Sequence, residues 1–324
     1  MNQDVRIVVV GSFAVGLTMK LARFPMAGET QLGSGYHMDH GGKGSNQAVG
    51  CARLGAQVSF VASIGQDAAG DVALELYRSE GVGARLRRAA DQPTGVGFIL
   101  VKADTGENCI ALDPGANDLL SAADVAASDD AFLAARVVLT QLEIPVEAAE
   151  AAMERGRAHG AITILNPAPA RAVPDTVLRN VDVLTPNQNE AKVLLGYGPD
   201  ADVAPARLGR ELLARGPQQV VVTLGEQGAF IATRDLEEHV PAMSVAPVDT
   251  TGAGDAFNAG LAVALACGAN LEAAVRFGVT TGALAVTKAG VVPALPRRDD
   301  VLQFHRQRGL PVPDRILDLW STQG

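Results

Sequence analysis

Aromatic residues, cysteines and long hydrophobic runs are all scarce in this sequence. Aromatics supply only 4% of the 324 residues, so a buried core must consist mainly of Ala, Val and Leu. The three cysteines, Cys51, Cys109 and Cys267, have no metal-binding spacing, and this low, odd count favours a reducing compartment. No run of about 18 apolar residues is present. We therefore expect neither a disulfide-stabilised scaffold nor a membrane protein.

Positive charge and a targeting segment are lacking as well. The 27 Lys and Arg residues are outnumbered by 36 Asp and Glu, which gives a net charge of −9. This balance argues against a nucleic-acid-binding protein, which needs a basic face. Residues 1–6 are polar, and the apolar run at 7–10 is too short for the core of a signal peptide. We therefore predict a cytoplasmic protein that binds neither nucleic acid nor membranes.

Glycine, by contrast, is plentiful, and the length suits a large α/β fold. The 35 glycines make up a larger share of the 324 residues than the usual ~7%. This surplus indicates tight turns and close approach of the backbone to ligands. β-branched runs alternate with helical segments, which is typical of a mostly parallel sheet covered by helices. The predicted strands are residues 5–10, 58–63, 137–141, 161–165, 181–185 and 220–224. The predicted helices are residues 42–54, 69–80, 146–159, 190–195, 206–215, 252–268 and 271–285.

Two segments depart from this alternation, and we predict that they pair as a small β lid. Residues 28–40 alternate loosely and contain Gly33 and Gly35, which indicates an edge hairpin. Residues 94–112 alternate on either side of a polar turn, which also indicates a hairpin. The predicted α/β core consists of residues 1–11, 41–93 and 113–324, and the predicted lid of residues 12–40 and 94–112.

The strongest motif lies where a turn of small residues enters the Ala-rich helix at 252–268. Residues 249–258 read DTTGAGDAFN. The backbone N–H groups of Gly252, Ala253 and Gly254 would point out of the helix N-terminus, which favours phosphate binding. Asp255 in the first turn could accept a proton from an attacking hydroxyl, although an Asp here could also simply cap the helix.

A second Gly-rich turn, at residues 41–48 (GGKGSNQA), also enters a helix. It is not a P-loop, because Gly44 follows the lysine where Ser or Thr is required. Lys43 and Asn46 are three residues apart and are expected on one face of the helix. His40 directly precedes the turn. The alternative is an ordinary Gly-rich turn with a solvated lysine.

Other polar residues follow predicted strands, at the edge of the sheet where open α/β proteins bind ligands. Asn187 and Glu190 follow one such strand, and Glu143 follows another. A turn with Gly225 and Gly228 follows a third strand. Each pattern also has a purely structural explanation: a helix cap, a solvated loop charge and an ordinary turn, respectively.

Taken in order, these motifs resemble the ribokinase family of sugar and nucleoside kinases, the phosphofructokinase-B type. The Gly-Gly element at 41–47, the N-x-x-E element at 187–190 and the D-T-x-G-A-G-D element at 249–255 all match. The resemblance extends over residues 8–296. It implies a three-layer α/β core with a β lid, and ATP-dependent phosphorylation of a primary hydroxyl.

The resemblance also implies roles for single residues. Asp255 would be the general base, and Gly252, Ala253 and Gly254 would form an anion hole for the migrating phosphoryl group. The implied sugar contacts are Gly42, Lys43, Asn46 and Glu143. The implied contacts to ATP, Mg²⁺ and phosphates are Asn187, Glu190, Thr223, Gly225 and Gly228. A loop for potassium would consist of Asp249, Thr251, Ala285, Lys288 and Gly290. The lids of this family typically pair two protomers, which implies a homodimer.

The segment after the first strand departs from the family pattern. Members that phosphorylate ribose carry G-S-x-N-x-D there, whereas residues 11–16 read GSFAVG, so Ala14 and Gly16 replace two polar side chains that hold sugar hydroxyls. Losing two such contacts would weaken ribose binding by ~10²–10⁴ unless other groups compensate. His40 is one candidate, and Phe98 could add apolar bulk over the sugar.

Three functions are therefore compared. The first is an ATP-dependent kinase of a pentose, and ribose is the pentose that we name first as its substrate. The second is a kinase of another sugar, such as deoxyribose or a ketohexose, or of a nucleoside. The third is a non-catalytic sugar- or nucleotide-binding regulator, which would need no general base at Asp255.

Overall fold

The computed structural model of the chain describes residues 5–321. Its strands are β1 (Arg6–Val10), β2 (Ala14–Leu21), β3 (Ser34–Gly41), β4 (Gln57–Gly65), β5 (Gly83–Ala89), β6 (Gly95–Lys102), β7 (Asn108–Asp113), β8 (Val137–Thr140), β9 (Ile162–Leu165), β10 (Val183–Leu184), β11 (Gln219–Thr223), β12 (Ala229–Ala232) and β13 (Glu237–Val240). Its α-helices are α1 (Lys43–Arg53), α2 (Ala68–Ser79), α3 (Ala122–Ala127), α4 (Asp129–Phe132), α5 (Val146–Ala158), α6 (Asp175–Leu178), α7 (Gln188–Leu194), α8 (Pro205–Leu213), α9 (Ala253–Ala266), α10 (Leu271–Ala285), α11 (Arg298–Arg308) and α12 (Asp314–Ser321). Between residues 5 and 321 no helix is long and apolar enough to cross a membrane.

The larger sheet has the strand order β13-β12-β11-β10-β9-β8-β1-β4-β5. Neighbouring strands from β11 to β5 are parallel, whereas β12 and β13 are antiparallel additions at one edge. Along β1, Ile7 and Val9 belong to one hydrophobic core, and Val8 and Val10 belong to the other. Helices therefore cover both faces, which confirms the predicted three-layer α/β architecture.

The elements predicted from periodicity lie within two residues of those in the structure. The elements that were not predicted are β2, β5, β12, β13, α3, α4 and α6. Strand β5 is missed because Arg85, Arg87 and Arg88 make its sequence polar. At this edge of the sheet, each arginine forms an ion pair with an aspartate of α4, α3 or α2. Because these arginines stand where apolar residues are expected, β5 cannot be predicted from apolar alternation.

The second sheet, called the lid sheet below, consists of β2, β3, β6 and β7 in the order β3-β2-β6-β7. The hairpin predicted at 94–112 is β6 and β7. The hairpin predicted at 28–40 is corrected: the antiparallel partner of β3 is β2, and only residues 34–40 of that segment belong to a strand. The two excursions join through the parallel pair β2 and β6. Residues 1–4 and 322–324 of the predicted core lie outside the described residues.

Candidate active site

The carboxyl ends of the parallel strands form one edge of the larger sheet, and the polar motifs meet there. The N-termini of α1 and α9 reach the same edge, since Asn46 in α1 is hydrogen-bonded to Asp255 in α9. Each of five parallel strands brings one polar residue to this edge. These are Ser12 after β1, Glu143 after β8, Asn166 after β9, Asn187 after β10 and Thr223 at the end of β11.

Asp255 is the buried acid at the centre of this group, with 6% of its surface exposed. Asn46 Nδ2 donates to its Oδ2 at 2.8 Å, and Gln47 Nε2 donates to its Oδ1 at 2.9 Å. Burial raises the pKa of Asp255, and this effect outweighs the opposing influence of Lys43 and the two amide donors. Above its raised pKa, the carboxylate is an oriented base that is stronger than an exposed aspartate.

Lys43, at the start of α1, lies among three carboxylates. Its backbone N–H donates to Glu143 Oε2 at 2.8 Å, and the Ser12 hydroxyl donates to the same oxygen at 2.6 Å. Burial disfavours the charged ammonium, but Asp255, Glu143 and Glu190 outweigh it and raise the pKa of Lys43. Lys43 therefore keeps its positive charge among these carboxylates.

The N-terminus of α9 provides unpartnered N–H groups beside open space. Gly252 is the N-cap, with φ 78° and no side-chain cap. Ala253 N–H donates to Thr250 O at 3.3 Å, whereas the N–H groups of Gly252, Gly254 and Asp255 have no acceptor among residues 5–321. A Cβ added at Gly254 would meet nothing within 4 Å. This end of the helix fits an anion, with Asp255 N–H taking the place predicted for Ala253 N–H.

Asn187 and Glu190 form a reciprocal cap at the start of α7. Asn187 N–H donates to Glu190 Oε2, and Glu190 N–H donates to Asn187 Oδ1, both at 2.8 Å. Asn187 also forms an isolated parallel bridge with Thr223. Burial raises the pKa of Glu190, which lies close enough to Lys43 and Asp255 for their charges to act on it. The helix-cap interpretation is therefore correct, and the cap places Glu190 at the site.

The turn after β11 contains two glycines with different surroundings. Gly225 has φ 59°, and a Cβ there would meet nothing within 4 Å. Gly228 has φ 97°, and a Cβ there would lie 2.1 Å from Val240 O. Gly228 is thus required by packing against the antiparallel strands, whereas Gly225 leaves space for a ligand.

The loop before α9 is joined to the loop after α10. Asp249 Oδ1 accepts from Thr251 N–H at 2.9 Å, and Asp249 Oδ2 accepts from Gly290 N–H at 3.0 Å. Ala285 ends α10, and its carbonyl accepts from Lys288 N–H at 3.3 Å. The ammonium of Lys288 pairs with a carboxylate of α11, 3.3 Å away. The structure therefore brings together Asp249, Thr251 and Gly290, while the Lys288 side chain points elsewhere.

His40 is half-buried on β3 and is not joined to the cluster around Asp255. Burial lowers its pKa, and the carboxylates that act against this are Asp39 and Glu80. No hydrogen bond or ion pair between His40 and Asp255 or Glu143 occurs in the described part of the chain. The role of His40 as a sugar contact stays a prediction.

The register of the lid sheet corrects the expectation for Phe98. Phe98 is opposite Leu17, whereas Gly16 is opposite Gly97, so Phe98 and Gly16 belong to opposite faces. A Cβ added at Gly16 would lie 3.2 Å from Ile99 Cδ1. The apolar group beside the missing side chain is therefore Ile99.

A cavity of about 600 Å³ lies at the other edge of the sheet, at the amino ends of β9, β10 and β11. Its charged residues, Arg157 and Asp182, are 3.7 Å apart and pair with each other. None of the motif residues lines this cavity. Cavity volume therefore does not locate the candidate active site.

Gln47, Gln141 and Asn166 lie in segments that resemble the family, but the sequence analysis assigned none of them a role. All three are buried, and Gln47 bonds to both of the others. Gln141 and Asn166 directly follow apolar strands, the same signal that identified Glu143 and Asn187. That signal, applied to every strand, would have found them.

The comparisons with known proteins agree with this geometry. A family model described as pfkB family carbohydrate kinase matches residues 4–298. The chain is 35% identical over 297 residues to ribokinase of Haemophilus influenzae, covering 91% of this chain and 97% of the relative. It is 34% identical over 292 residues to deoxyribokinase of Salmonella typhi, covering 90% and 95%.

A solved structure of Arabidopsis thaliana ribokinase, complexed with ribose and ATP, has a TM-score of 0.82 and 29% identity to this chain. The match covers 92% of this chain and 97% of that one. The residues matched by the family model, 4–298, contain every motif of the sheet edge described above. The chain therefore belongs to the pfkB family of carbohydrate kinases.

Proposed function

We propose that the chain transfers the γ-phosphoryl group of ATP to a primary hydroxyl of a pentose, with ribose as the first candidate. The observation that carries this proposal is the buried Asp255 carboxylate beside unpartnered N–H groups at the start of α9. Relatives named ribokinase and deoxyribokinase, and the ribokinase structure with ribose and ATP, support the substrate class.

In this proposal Asp255 is the general base and the helix end is the anion hole. Phosphoryl transfer depends on positioning and charge stabilisation more than on covalent catalysis. The Asp255 carboxylate accepts the proton of the sugar hydroxyl as the oxygen attacks. The N–H groups of Gly252 and Gly254 offset negative charge on the phosphoryl oxygens. Lys43 adds a positive charge to the site.

The sugar contacts are proposed along the start of α1. Asn46 Oδ1 is buried and has no partner, so it fits a hydroxyl donor from the sugar. Lys43 and Glu143 border the same site. Gly42 is required by packing, since a Cβ there would lie 2.6 Å from Phe13 Cα.

The nucleotide is proposed to lie over the ends of β10 and β11, at Thr223 and the open turn at Gly225. Asn187 and Glu190 would hold Mg²⁺ through water. Glu190 Oε2 is used in the cap, and Oε1 has no hydrogen bond within residues 5–321. When bound, Mg²⁺ would supply positive charge that offsets the charge of the phosphate groups.

A kinase of deoxyribose, another sugar or a nucleoside is the second candidate. Ala14 and Gly16 cannot donate or accept with their side chains, and Ile99 lies beside Gly16. An apolar lining disfavours a hydroxylated sugar relative to one that lacks a hydroxyl. The relative named deoxyribokinase is consistent with this candidate.

We also propose potassium activation, a homodimer and a cytoplasmic location. The Asp249 bonds to Thr251 and Gly290 support a potassium loop, because they join the two segments that would surround the ion. Exposed apolar side chains on the lid sheet support the dimer. The free thiols, two of them buried, suit a reducing compartment.

The test is ADP release with Mg-ATP across ribose, 2-deoxyribose, other pentoses, ketohexoses and nucleosides, each in potassium and in sodium. Turnover on a pentose is the expected result, with faster rates in potassium. Turnover confined to a ketohexose or a nucleoside would replace the pentose proposal. No turnover on any substrate would favour a sugar- or nucleotide-binding regulator.

A further inference from the structure

Behind Asp255, buried side-chain amides form a hydrogen-bonded chain that the helix cap does not require. Gln47 Nε2 donates to Asp255 Oδ1 at 2.9 Å and to Asn166 Oδ1 at 3.2 Å, so both of its protons are used. Gln47 Oε1 accepts from Gln141 Nε2. Gln47 and Gln141 have no exposed surface. The Asp255 carboxylate thus accepts from the Gln47 amide, and that amide is bonded in turn to Asn166 and Gln141.

These contacts permit one orientation of the Gln47 amide. If the amide flipped, its oxygen would face the Asp255 carboxylate and the Asn166 side-chain oxygen, so acceptors would oppose each other there. Gln141 donates to Gln47 Oε1 through Nε2, and its own Oε1 has no partner within residues 5–321. Gly11 makes room for Gln141, since a Cβ there would lie 2.3 Å from Gln141 Oε1.

The other end of the chain returns to α9. Asn166 Nδ2 donates to Thr185 O at 2.9 Å, and Thr185 Oγ1 donates to Asn258 Oδ1 at 2.6 Å. Asn258 Nδ2 then donates to Gly254 O at 2.8 Å. The network begins and ends in the first turn of α9 and crosses the ends of β8, β9 and β10. Because its members are buried, losing one leaves others unsatisfied.

We propose that Gln47 is a positioning residue for Asp255, and that Gln141 fixes the Gln47 amide so that it always donates to the carboxylate. This inference rests on the proposed role of Asp255 as general base. The charged groups that act on Asp255 are Lys43, Glu143 and Glu190. Substitutions at the two glutamines leave these charges in place, so they isolate the contribution of the amides.

The decisive variants are Gln141→Met, which does not contact Asp255, and Gln47→Met, which removes the donor itself. A carboxylate that loses a donor becomes easier to protonate. The acid limb of the pH profile of kcat is therefore expected to move to higher pH, by about one unit for Gln47→Met and less for Gln141→Met. Below the shifted midpoint kcat is expected to fall by up to ~10-fold, the ratio that one pH unit corresponds to, and to recover at higher pH, with the KM for ATP unchanged.

Thr163→Val is the matched control for the loss of a buried polar contact. Thr163 is fully buried in β9, but it bonds to Asn180 O and Asp182 Oδ2, away from Asp255. This variant is expected to lower Tm and to leave the acid limb in place. A glutamine variant whose kcat falls equally at every pH, or does not fall, overturns the positioning role.

A measurement without turnover separates this inference from the proposed function. The Asp255 carboxyl carbon is titrated by ¹³C NMR, with the signal assigned by its loss in Asp255→Asn. The midpoint is expected at higher pH in Gln47→Met than in the wild type. If Gln47→Met does not fold, Gln141→Met is titrated in its place, since it adds no charge and is expected to raise the midpoint by a smaller amount. An unchanged midpoint refutes the inference, whereas a wild type without kinase activity refutes only the proposed function.

Discussion

Asp255 has a donor on each carboxylate oxygen, and this makes Asp255→Asn an informative substitution. The new amide nitrogen must face either Asn46 Nδ2 or Gln47 Nε2, both of which are donors. Without a general base, kcat is expected to fall by about 10²–10⁴, while the KM for ATP stays within about twofold because the helix end is intact. Steady-state ADP release measures both. Asp235→Asn, at an exposed turn, is the control, and a near wild-type kcat for Asp255→Asn would remove this residue from the mechanism.

Gly16 and Ile99 together are expected to set the sugar preference. Gly16→Asp would restore a carboxylate, but its Cβ would lie 3.2 Å from Ile99 Cδ1. The double variant therefore combines Gly16→Asp with Ile99→Ala, which provides the space. A charged hydrogen bond contributes roughly 1.5–3 kcal/mol. The ratio of kcat/KM for ribose over 2-deoxyribose is therefore expected to rise at least ~10-fold in the double variant.

Ile99→Ala alone is the control for that experiment, because it adds space without a polar group. It is expected to change both sugars alike. If the single and double variants have the same ratio, Gly16 does not face the sugar, and the selectivity is determined elsewhere.

At the scale of elements, the N-terminus of α9 contains two glycines with opposite requirements. A Cβ at Gly252 would lie 2.6 Å from Val291 Cγ1, at a positive φ of 78°, whereas a Cβ at Gly254 would meet nothing. Gly254→Ala is therefore expected to keep Tm within about 2 °C and to lower kcat at least ~10-fold by entering the phosphate space. Gly252→Ala is expected to lower Tm, since both the backbone and the packing oppose it.

Thermal unfolding and ADP release on the same two variants separate these effects. A Gly254→Ala enzyme with normal kcat would show that phosphate does not approach this helix end. A Gly252→Ala protein with normal Tm would show that Val291 moves aside without cost.

Most elements could be predicted because their apolar periodicity follows from burial on one or both faces. Strand β5 could not, since its outward side chains are paired arginines. The helix entry at Asp255 was predictable from glycines and one acid. The amides behind it were not, because the contact of Gln47 with Asn166 joins residues that are 119 positions apart. Likewise, the neighbour of Gly16 depends on strand register, which sequence patterns leave open by one residue.

At the scale of the whole molecule, the motifs lie far apart in sequence yet converge because parallel strands end at one edge. The lid sheet is anchored close to that edge, where Asn117 bonds both backbone groups of Phe13 and also Pro114 O. Asp67 accepts from Thr94 N–H and Oγ1, directly before β6. The lid strands therefore leave the core at fixed points beside the site, which suits a cover over a bound sugar.

The lid sheet also has an unpaired edge that indicates how two copies would associate. All six residues of β7 are exposed, and Ile110 and Leu112, which share a face, are 59% and 55% exposed. An exposed edge strand with apolar side chains favours pairing with another chain. The double variant Ile110→Lys with Leu112→Lys is expected to convert a dimer to a monomer at micromolar concentration, as measured by light scattering after gel filtration. Leu133→Lys, at an equally exposed leucine of the core domain, is expected to leave the dimer intact. A wild type that is monomeric at these concentrations, or a double variant that stays dimeric, would contradict association through the lid.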